Sequence, residues 1–205
     1  MNKNNEIRVA ITGFGGLDNS EPGTAVARAL KLGWEGKISI DALGYDPWMT
    51  GAFSPGLIDN IHILPPLVEG DYALLERIVE INEKRKFHVI IPTLELEIPV
   101  LSRLEERLKS KGIKILIPSS EHLNMVTKTA LPYFCYRNKI PTPITLHVPN
   151  VNDVPFHANQ FTYPIMVKGV VASAKKVDNW SDALFYSRKF NSRWGGGAIL
   201  QEKIE

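Results

Sequence analysis

Ile7-Arg8-Val9-Ala10-Ile11-Thr12-Gly13-Phe14-Gly15-Gly16 reads as a buried strand running straight into a glycine turn. A short apolar run bounded by glycines fits a strand covered on both faces. Outward from it, Thr24 to Leu32 places Ala25, Val26, Ala29 and Leu32 at helical spacing, with Gly33 as C-cap. Lys37 to Leu43 is a second strand and Asn60 to Leu64 a third. Asp71 to Lys86 is an amphipathic helix striped by Leu74, Leu75, Ile78, Val79 and Ile81, with Asp71 as candidate N-cap. His88-Val89-Ile90-Ile91-Pro92 is the next strand. Leu101 to Lys111 is a helix ending at Gly112, Ile113 to Ile117 is a further strand, and Ser119 caps the helix after it. Strands alternate with helices, so the fold class is α/β: a doubly wound, Rossmann-like parallel sheet with right-handed crossovers.

The 205 residues suffice for one large domain or two small ones. Hydrophobic residues make up 44% and charged residues 22%, a globular composition that leaves room for a sizeable core. The net charge is only +2, and basic residues are interleaved with acidic ones, as in Glu83-Lys84-Arg85-Lys86. Those runs read as solvated helix faces, which argues against nucleic acid as partner. Cys135 is the single cysteine, so no disulfide forms within the chain. No apolar run reaches membrane-spanning length and the first residues show no apolar leader. The expectation is a cytoplasmic protein without a membrane partner.

Glycines after a first strand let backbone N–H groups approach an anion. Gly13 and Gly15 fit the start of a dinucleotide fingerprint, but its third glycine is replaced by Asp18. That puts negative charge where a pyrophosphate would lie, against a nicotinamide-dependent oxidoreductase. Beside that weaker reading stand a tight turn needing positive φ, and a loop contacting a small substrate at the sheet's carboxyl edge. Asp46-Pro47 after the second strand reads as a turn, with a ribose-binding carboxylate as the alternative. No phosphate loop, zinc-protease helix, paired Cys motif or nucleophile elbow occurs, and the histidines show no ligand spacing.

The character changes near residue 140, and a domain boundary is expected near 120–140. Ile140-Pro141-Thr142-Pro143 is extended, since proline disfavours helix in the residue before it. Asn150 to Thr162 is polar and turn-rich. Tyr163-Pro164-Ile165-Met166-Val167-Lys168 is a strand ending in a lysine, Ser181 to Phe190 a helix, Trp194-Gly195-Gly196-Gly197 a turn, and Ala198-Ile199-Leu200 enters a last strand.

Three features in this order resemble the ATP-grasp superfamily. Thr127-Lys128-Thr129, opening a helix that runs into Asn138-Lys139-Ile140-Pro141-Thr142-Pro143, resembles the family's D-K…G-I-P-x-P segment. Thr127 replaces the usual Asp, and Lys139 the usual Gly. Tyr163 to Gly169 resembles the strand whose lysine points at the α- and β-phosphates. Ile199-Leu200-Gln201-Glu202-Lys203-Ile204 resembles the Q-E-x-I hinge that reads the adenine edge. The earlier part resembles the domain preceding ATP-grasp in carbamoyl-phosphate synthetase and biotin carboxylase. Gly13-Phe14-Gly15-Gly16 matches its glycine turn, and Ile91-Pro92-Thr93-Leu94-Glu95-Leu96-Glu97 its acidic loop.

The resemblance implies a pre-ATP-grasp domain over residues 1–125 and a partial α+β ATP-grasp domain over 126–205. It implies ATP as ligand, gripped by Lys128, Lys168, Ser173, Glu202, Lys203, Ile204 and Glu205. Gly13, Gly15, Gly16, Glu95 and Glu97 would lie on the substrate side. Met166, Ile165 or Leu200 would line the adenine slot. The parent activity would be a ligase that activates a small carboxylate as an acyl-phosphate for attack by an amine or other nucleophile. Mg would be held by residues beyond the hinge strand, so this stretch alone is expected to bind ATP weakly or not at all and to be inactive. It would associate as a homo-oligomer or with a complementary subunit. One departure stands out: the phosphate-covering loop, glycine-rich in the family, reads Val170-Val171-Ala172-Ser173-Ala174-Lys175-Lys176-Val177. The alternative is a non-catalytic module binding a ligand or partner through its first domain.

Overall fold

The computed structural model describes residues 6–15 and 21–204, so Gly16, Asp18 and Glu205 lie outside the described residues. The chain divides into two compact units, residues 1–120 and 121–205. Among the described residues, no helix is long and apolar enough to cross a membrane.

In the first unit, strands and helices alternate as β1 (Ile7–Ile11), α1 (Pro22–Gly33), β2 (Ile38–Gly44), β3 (Asn60–Ile63), α2 (Asp71–Arg85), β4 (Val89–Ile91), α3 (Ile98–Lys109) and β5 (Lys114–Ile115). The strands form a parallel sheet in the order β3-β2-β1-β4-β5. Residue alternation sorts its two faces. Val9, Ile11, Ile40 and Ala42 pack with Ala27 of α1. Ala10, Leu43 and Ile90 pack with Leu74 and Ile78 of α2 and with Leu101, Leu104 and Leu108 of α3. The sheet is therefore doubly wound, as the alternation predicts. The order reverses between β1 and β4, where the glycine turn and the Pro92–Glu97 loop leave the sheet side by side.

Helix ends differ from expectation for local reasons. Helices α1 and α3 begin earlier than the periodicity indicates, because Pro22 and Pro99 sit in their first turns, where a missing N–H costs nothing. Asp71 does not cap α2. Gly70 does, at φ 91, and Asp71 is the first helical residue. Its carboxylate instead accepts two bonds from Arg103 of α3, at 2.7 and 2.8 Å. At the other end Lys86 takes a left-handed φ of 56, and the Asn82 side chain accepts from Phe87 N at 2.7 Å.

The second unit carries α4 (Ser120–Met125, which begins at the boundary), α5 (Leu131–Arg137), β6 (Thr145–Val148), α6 (Val154–Ala158), β7 (Ile165–Gly169), β8 (Ala174–Val177), α7 (Trp180–Trp194) and β9 (Ala198–Glu202). Its antiparallel sheet has the order β6-β9-β7-β8. Leu146, Val148, Ile165, Val167, Val177 and Leu200 share the face packed on α6 and α7, with Val154, Ala158, Ala183 and Phe190.

Three corrections belong to this unit. Thr127-Lys128-Thr129 does not open a helix: it forms a turn, and α5 starts at Leu131, with Pro132 in its first turn. The polar stretch Asn150–Thr162 contains α6, only five residues long, with Val154 and Ala158 buried one helical turn apart. The span Val170–Val177 is not all loop, because its second half is β8, paired antiparallel to β7 with Lys168 opposite Ala174.

Candidate functional site

Strand alternation decides which side chains the second sheet offers on the face away from α6 and α7. Register places Thr145, Met166 and Gln201 in one row across β6, β9 and β7. Lys168 lies in the next row on that face, between Ile199 and Ala174. Lys168 is half-buried, and its Nζ donates to Gln201 Oε1 at 2.5 Å. Gln201 Nε2 in turn donates to Thr145 Oγ1 at 2.8 Å, and the Thr145 hydroxyl donates to the Pro143 carbonyl at 2.8 Å.

The hairpin that follows β7 is short and tight. Gly169 N donates to Ser173 O at 3.0 Å, and a side chain at Gly169 would meet the Ala172 carbonyl at 2.2 Å. Ser173 is exposed and holds a left-handed φ of 75, a conformation uncommon outside glycine and often found at ligand-gripping turns. The Lys128 ammonium donates to the Val171 carbonyl in this same turn. Lys128 and Lys168 are therefore brought to one hairpin, the first from the turn before α5 and the second from the strand entering it. Lys176 sits on the Lys168 face of β8, with Nζ 3.7 Å from Asp178.

At the end of β9, Glu202 N donates to Ile144 O at 2.8 Å, and Ile144 N donates to Glu202 Oε2 at 3.2 Å. Lys203 is half-buried and Ile204 exposed, both past the end of the strand. A cleft of about 450 Å³ adjoins this point, lined by Ile144, Leu146, Phe161, Tyr163, Glu202 and Lys203 among others. Of the apolar residues expected to face an adenine, Met166 is on the Lys168 face. Ile165 and Leu200 are fully buried against the helices instead, because the strand period sends them to the other side.

In the first unit, Gly13 adopts φ +80, and a Cβ there would come within 2.0 Å of Thr93 Oγ1. The turn reading of this glycine holds, and the close approach of the loop after β4 gives the reason. Gly15 is exposed. Glu95 is exposed, whereas Glu97 is wholly buried and accepts from the Thr12 hydroxyl at 2.6 Å. Burial pushes the Glu97 carboxyl up to about 7, with Thr12, Tyr45 and the Leu94 backbone opposing the shift. Asp46 accepts from Trp48 N at 2.7 Å, closing the turn that Asp-Pro signals.

Sequence reasoning missed the Gln201–Thr145–Pro143 chain and a buried cluster around Asp41. Asp41 accepts from Arg85 at 2.7 and 3.0 Å and lies 2.8 Å from His62 Nε2. Burial works against its ionisation, but His62, Arg85 and Asn60 outweigh it and hold the carboxyl below its ordinary value. A charged residue in mid-strand with apolar neighbours was the available signal. Among the described residues, no three His, Cys, Asp or Glu side chains gather to hold a metal ion.

No family model and no curated protein matches the chain. Solved structures do. An L-amino acid ligase from Bacillus licheniformis aligns over 97% of this chain and 44% of its own, at 16% identity and TM-score 0.65. A biotin carboxylase from Campylobacter jejuni, solved as a β-γ-ATP complex, aligns over 97% and 46%, at 16% identity and TM-score 0.65. Over the aligned stretch the chain has the fold of these ATP-grasp enzymes. A third match is the biotin carboxylase domain dimer of 2-oxoglutarate carboxylase from Hydrogenobacter thermophilus, in complex with MgADP, ADP and bicarbonate. It aligns over 97% and 44%, at 16% identity and TM-score 0.63. The chain spans a little under half the length of these three proteins.

Proposed function

We propose that this chain is the nucleotide-gripping portion of an ATP-dependent ligase. In that activity a small carboxylate is activated as an acyl-phosphate and captured by an amine or another nucleophile. The observation that carries the proposal is the meeting of Lys128 and Lys168 at the β7–β8 hairpin. The Lys128 ammonium donates to the Val171 carbonyl in its turn, and Lys168 stands on the strand entering it, with its ammonium on Gln201 Oε1.

Triphosphate carries several negative charges, and point-charge lysines answer them without demanding one hydrogen-bond geometry. Lys128 and Lys168 would hold the phosphates, and the exposed Ser173 turn would cover them with backbone N–H groups. Met166 and the backbone of Lys203 and Ile204 would take the adenine, since residues past a strand end have left the ladder. Glu205 would face the ribose. ATP would supply the phosphoryl group. The chain's own residues bind and orient it, an electrostatic contribution made before any bond changes. Magnesium would come with the nucleotide and be completed by carboxylates outside the set described. Residues 1–125 would form the pre-ATP-grasp domain and 126–205 the partial ATP-grasp domain. Gly13, Gly15, Gly16 and Glu95 would lie on the substrate side, with Glu97 behind them holding Thr12.

Saturation-transfer NMR on Mg-ATP tests the reading. Saturation should pass from the protein to the adenine and ribose protons, fall when inorganic tripolyphosphate is added, and disappear in Lys168→Ala. Transfer that persists undiminished in Lys168→Ala contradicts it.

A further inference from the structure

We propose that Gln201 is the positioning residue for Lys168: a neutral amide, locked by Thr145 and the Pro143 carbonyl, that fixes the ammonium while leaving its full charge for a phosphate. The proposal rests on the nucleotide reading above and adds to it a residue, and a reason for that residue's chemistry.

The geometry allows one orientation of the amide. Thr145 has a single hydroxyl proton, and it goes to the Pro143 carbonyl at 2.8 Å, an acceptor with nothing to donate. Toward Gln201 the Thr145 oxygen can therefore only accept. The amide nitrogen must face Thr145, at 2.8 Å, and the amide oxygen must face Lys168, at 2.5 Å. A flipped amide would set NH2 against an ammonium, donor against donor. The chain of bonds thus fixes an assignment that a lone glutamine leaves open.

The support behind the amide is rigid. Thr145 and Gln201 are directly paired between β6 and β9, and Lys168 is the diagonal neighbour of Gln201 on β7. The anchoring carbonyl belongs to Pro143, with Pro141 two residues before it, so two backbone φ angles are fixed by their rings. This gives the Ile140-Pro141-Thr142-Pro143 segment a role at the lysine even though it touches it only through two side chains.

The neutrality of residue 201 matters as much as its position. A hydrogen bond from an ammonium to a neutral oxygen is charge-assisted and holds position. A carboxylate at the same place would hold position equally well but would cancel the charge that a phosphate must meet. An aliphatic residue would leave the charge and lose the position.

The test uses the whole 205-residue chain with lysine side-chain 15N labelling. Relaxation of the Lys168 Nζ group should show it ordered, with exposed Lys189 as mobile reference. Thr145→Val, nearly isosteric and two hydrogen bonds away, should release Lys168 toward the mobility of Lys189, and Thr145→Ser should restore order. Dispersed amide spectra establish that each variant folds. Gln201→Glu should keep Lys168 ordered yet weaken Mg-ATP and tripolyphosphate binding about tenfold or more, while Gln201→Leu frees the ammonium and weakens them less. Lys168 as mobile as Lys189 in the natural chain, or unmoved by Thr145→Val, overturns the proposal. So does Mg-ATP binding indifferent to Gln201→Glu. If Lys168 orders as expected but the natural chain binds neither Mg-ATP nor tripolyphosphate, the nucleotide reading is what fails, and the ordering result tells the two failures apart.

Discussion

The Thr12 hydroxyl donates to Glu97 Oε2 across 2.6 Å, joining the end of β1 to the start of α3 inside a fully buried site. Thr93 adds two bonds to the same point, its N–H to Thr12 Oγ1 and its hydroxyl to Thr12 O, each at 2.9 Å. The two loops at the reversal of strand order are thereby held as one piece.

Glu97 should give folding a distinctive pH dependence. Burial raises its carboxyl to about 7 in the folded chain, above the unfolded value of about 4.3. The folded state then holds more protons than the unfolded state between those values, so the contribution is full below about pH 4 and is lost as pH rises toward 7. The loss is on the order of 3 kcal/mol. Glu97→Gln, which mimics the neutral acid, should flatten the urea-derived stability curve across that window. A curve parallel to the natural chain's would contradict the assignment.

Asp41 should act in the opposite sense. Its carboxyl is held below its ordinary value, so its contribution is present above about pH 4 and lost as pH falls through the lower folded value. Arg85→Ala removes the fork and leaves a buried carboxylate that is only 1% exposed. Equilibrium unfolding in urea should show a loss of about 3 kcal/mol. Replacing Asp41 and Arg85 together by apolar residues should recover much of that loss, since desolvation of both charges disappears.

Gly13→Ala should be costly for two independent reasons. The residue holds φ +80, and its Cβ would lie 2.0 Å from Thr93 Oγ1. A drop of several degrees in Tm is expected, on the order of 2 kcal/mol. Gly15→Ala, where the nearest atom is Met49 Cβ at 4.0 Å, should be nearly neutral. Thermal melts of the pair read the contrast directly.

The first unit was legible because buried parallel strands announce themselves. Val89-Ile90-Ile91 and Ile7 to Ile11 are apolar runs bounded by breakers, and α2 carries an unbroken stripe. The second unit was harder. The four residues of β6 and the five of α6 are shorter than the patterns that reveal them. Strand β8, Ala-Lys-Lys-Val, is an edge strand whose lysines discourage pairing with other chains, so its composition hides it. The motif lysines were visible one at a time, but their common destination was not. Lys128 reaches Val171 from 43 residues away, and that contact depends on the β7–β8 hairpin. Likewise Gln201 looked like part of a hinge, and only strand register turns it toward Lys168 rather than toward the helices.

The central claim is that the β7–β8 hairpin and the end of β9 take one nucleotide, with Lys128 and Lys168 on its phosphates. Amide shift mapping of the 15N-labelled chain with millimolar Mg-ATP tests it most directly, because it registers weak binding and locates it. The account predicts saturable shifts concentrated at Lys168 to Ser173, Gln201 to Ile204 and Lys128, all abolished in the Lys128→Ala, Lys168→Ala double variant. Shifts confined to the first unit, or a pattern unchanged in the double variant, would contradict it.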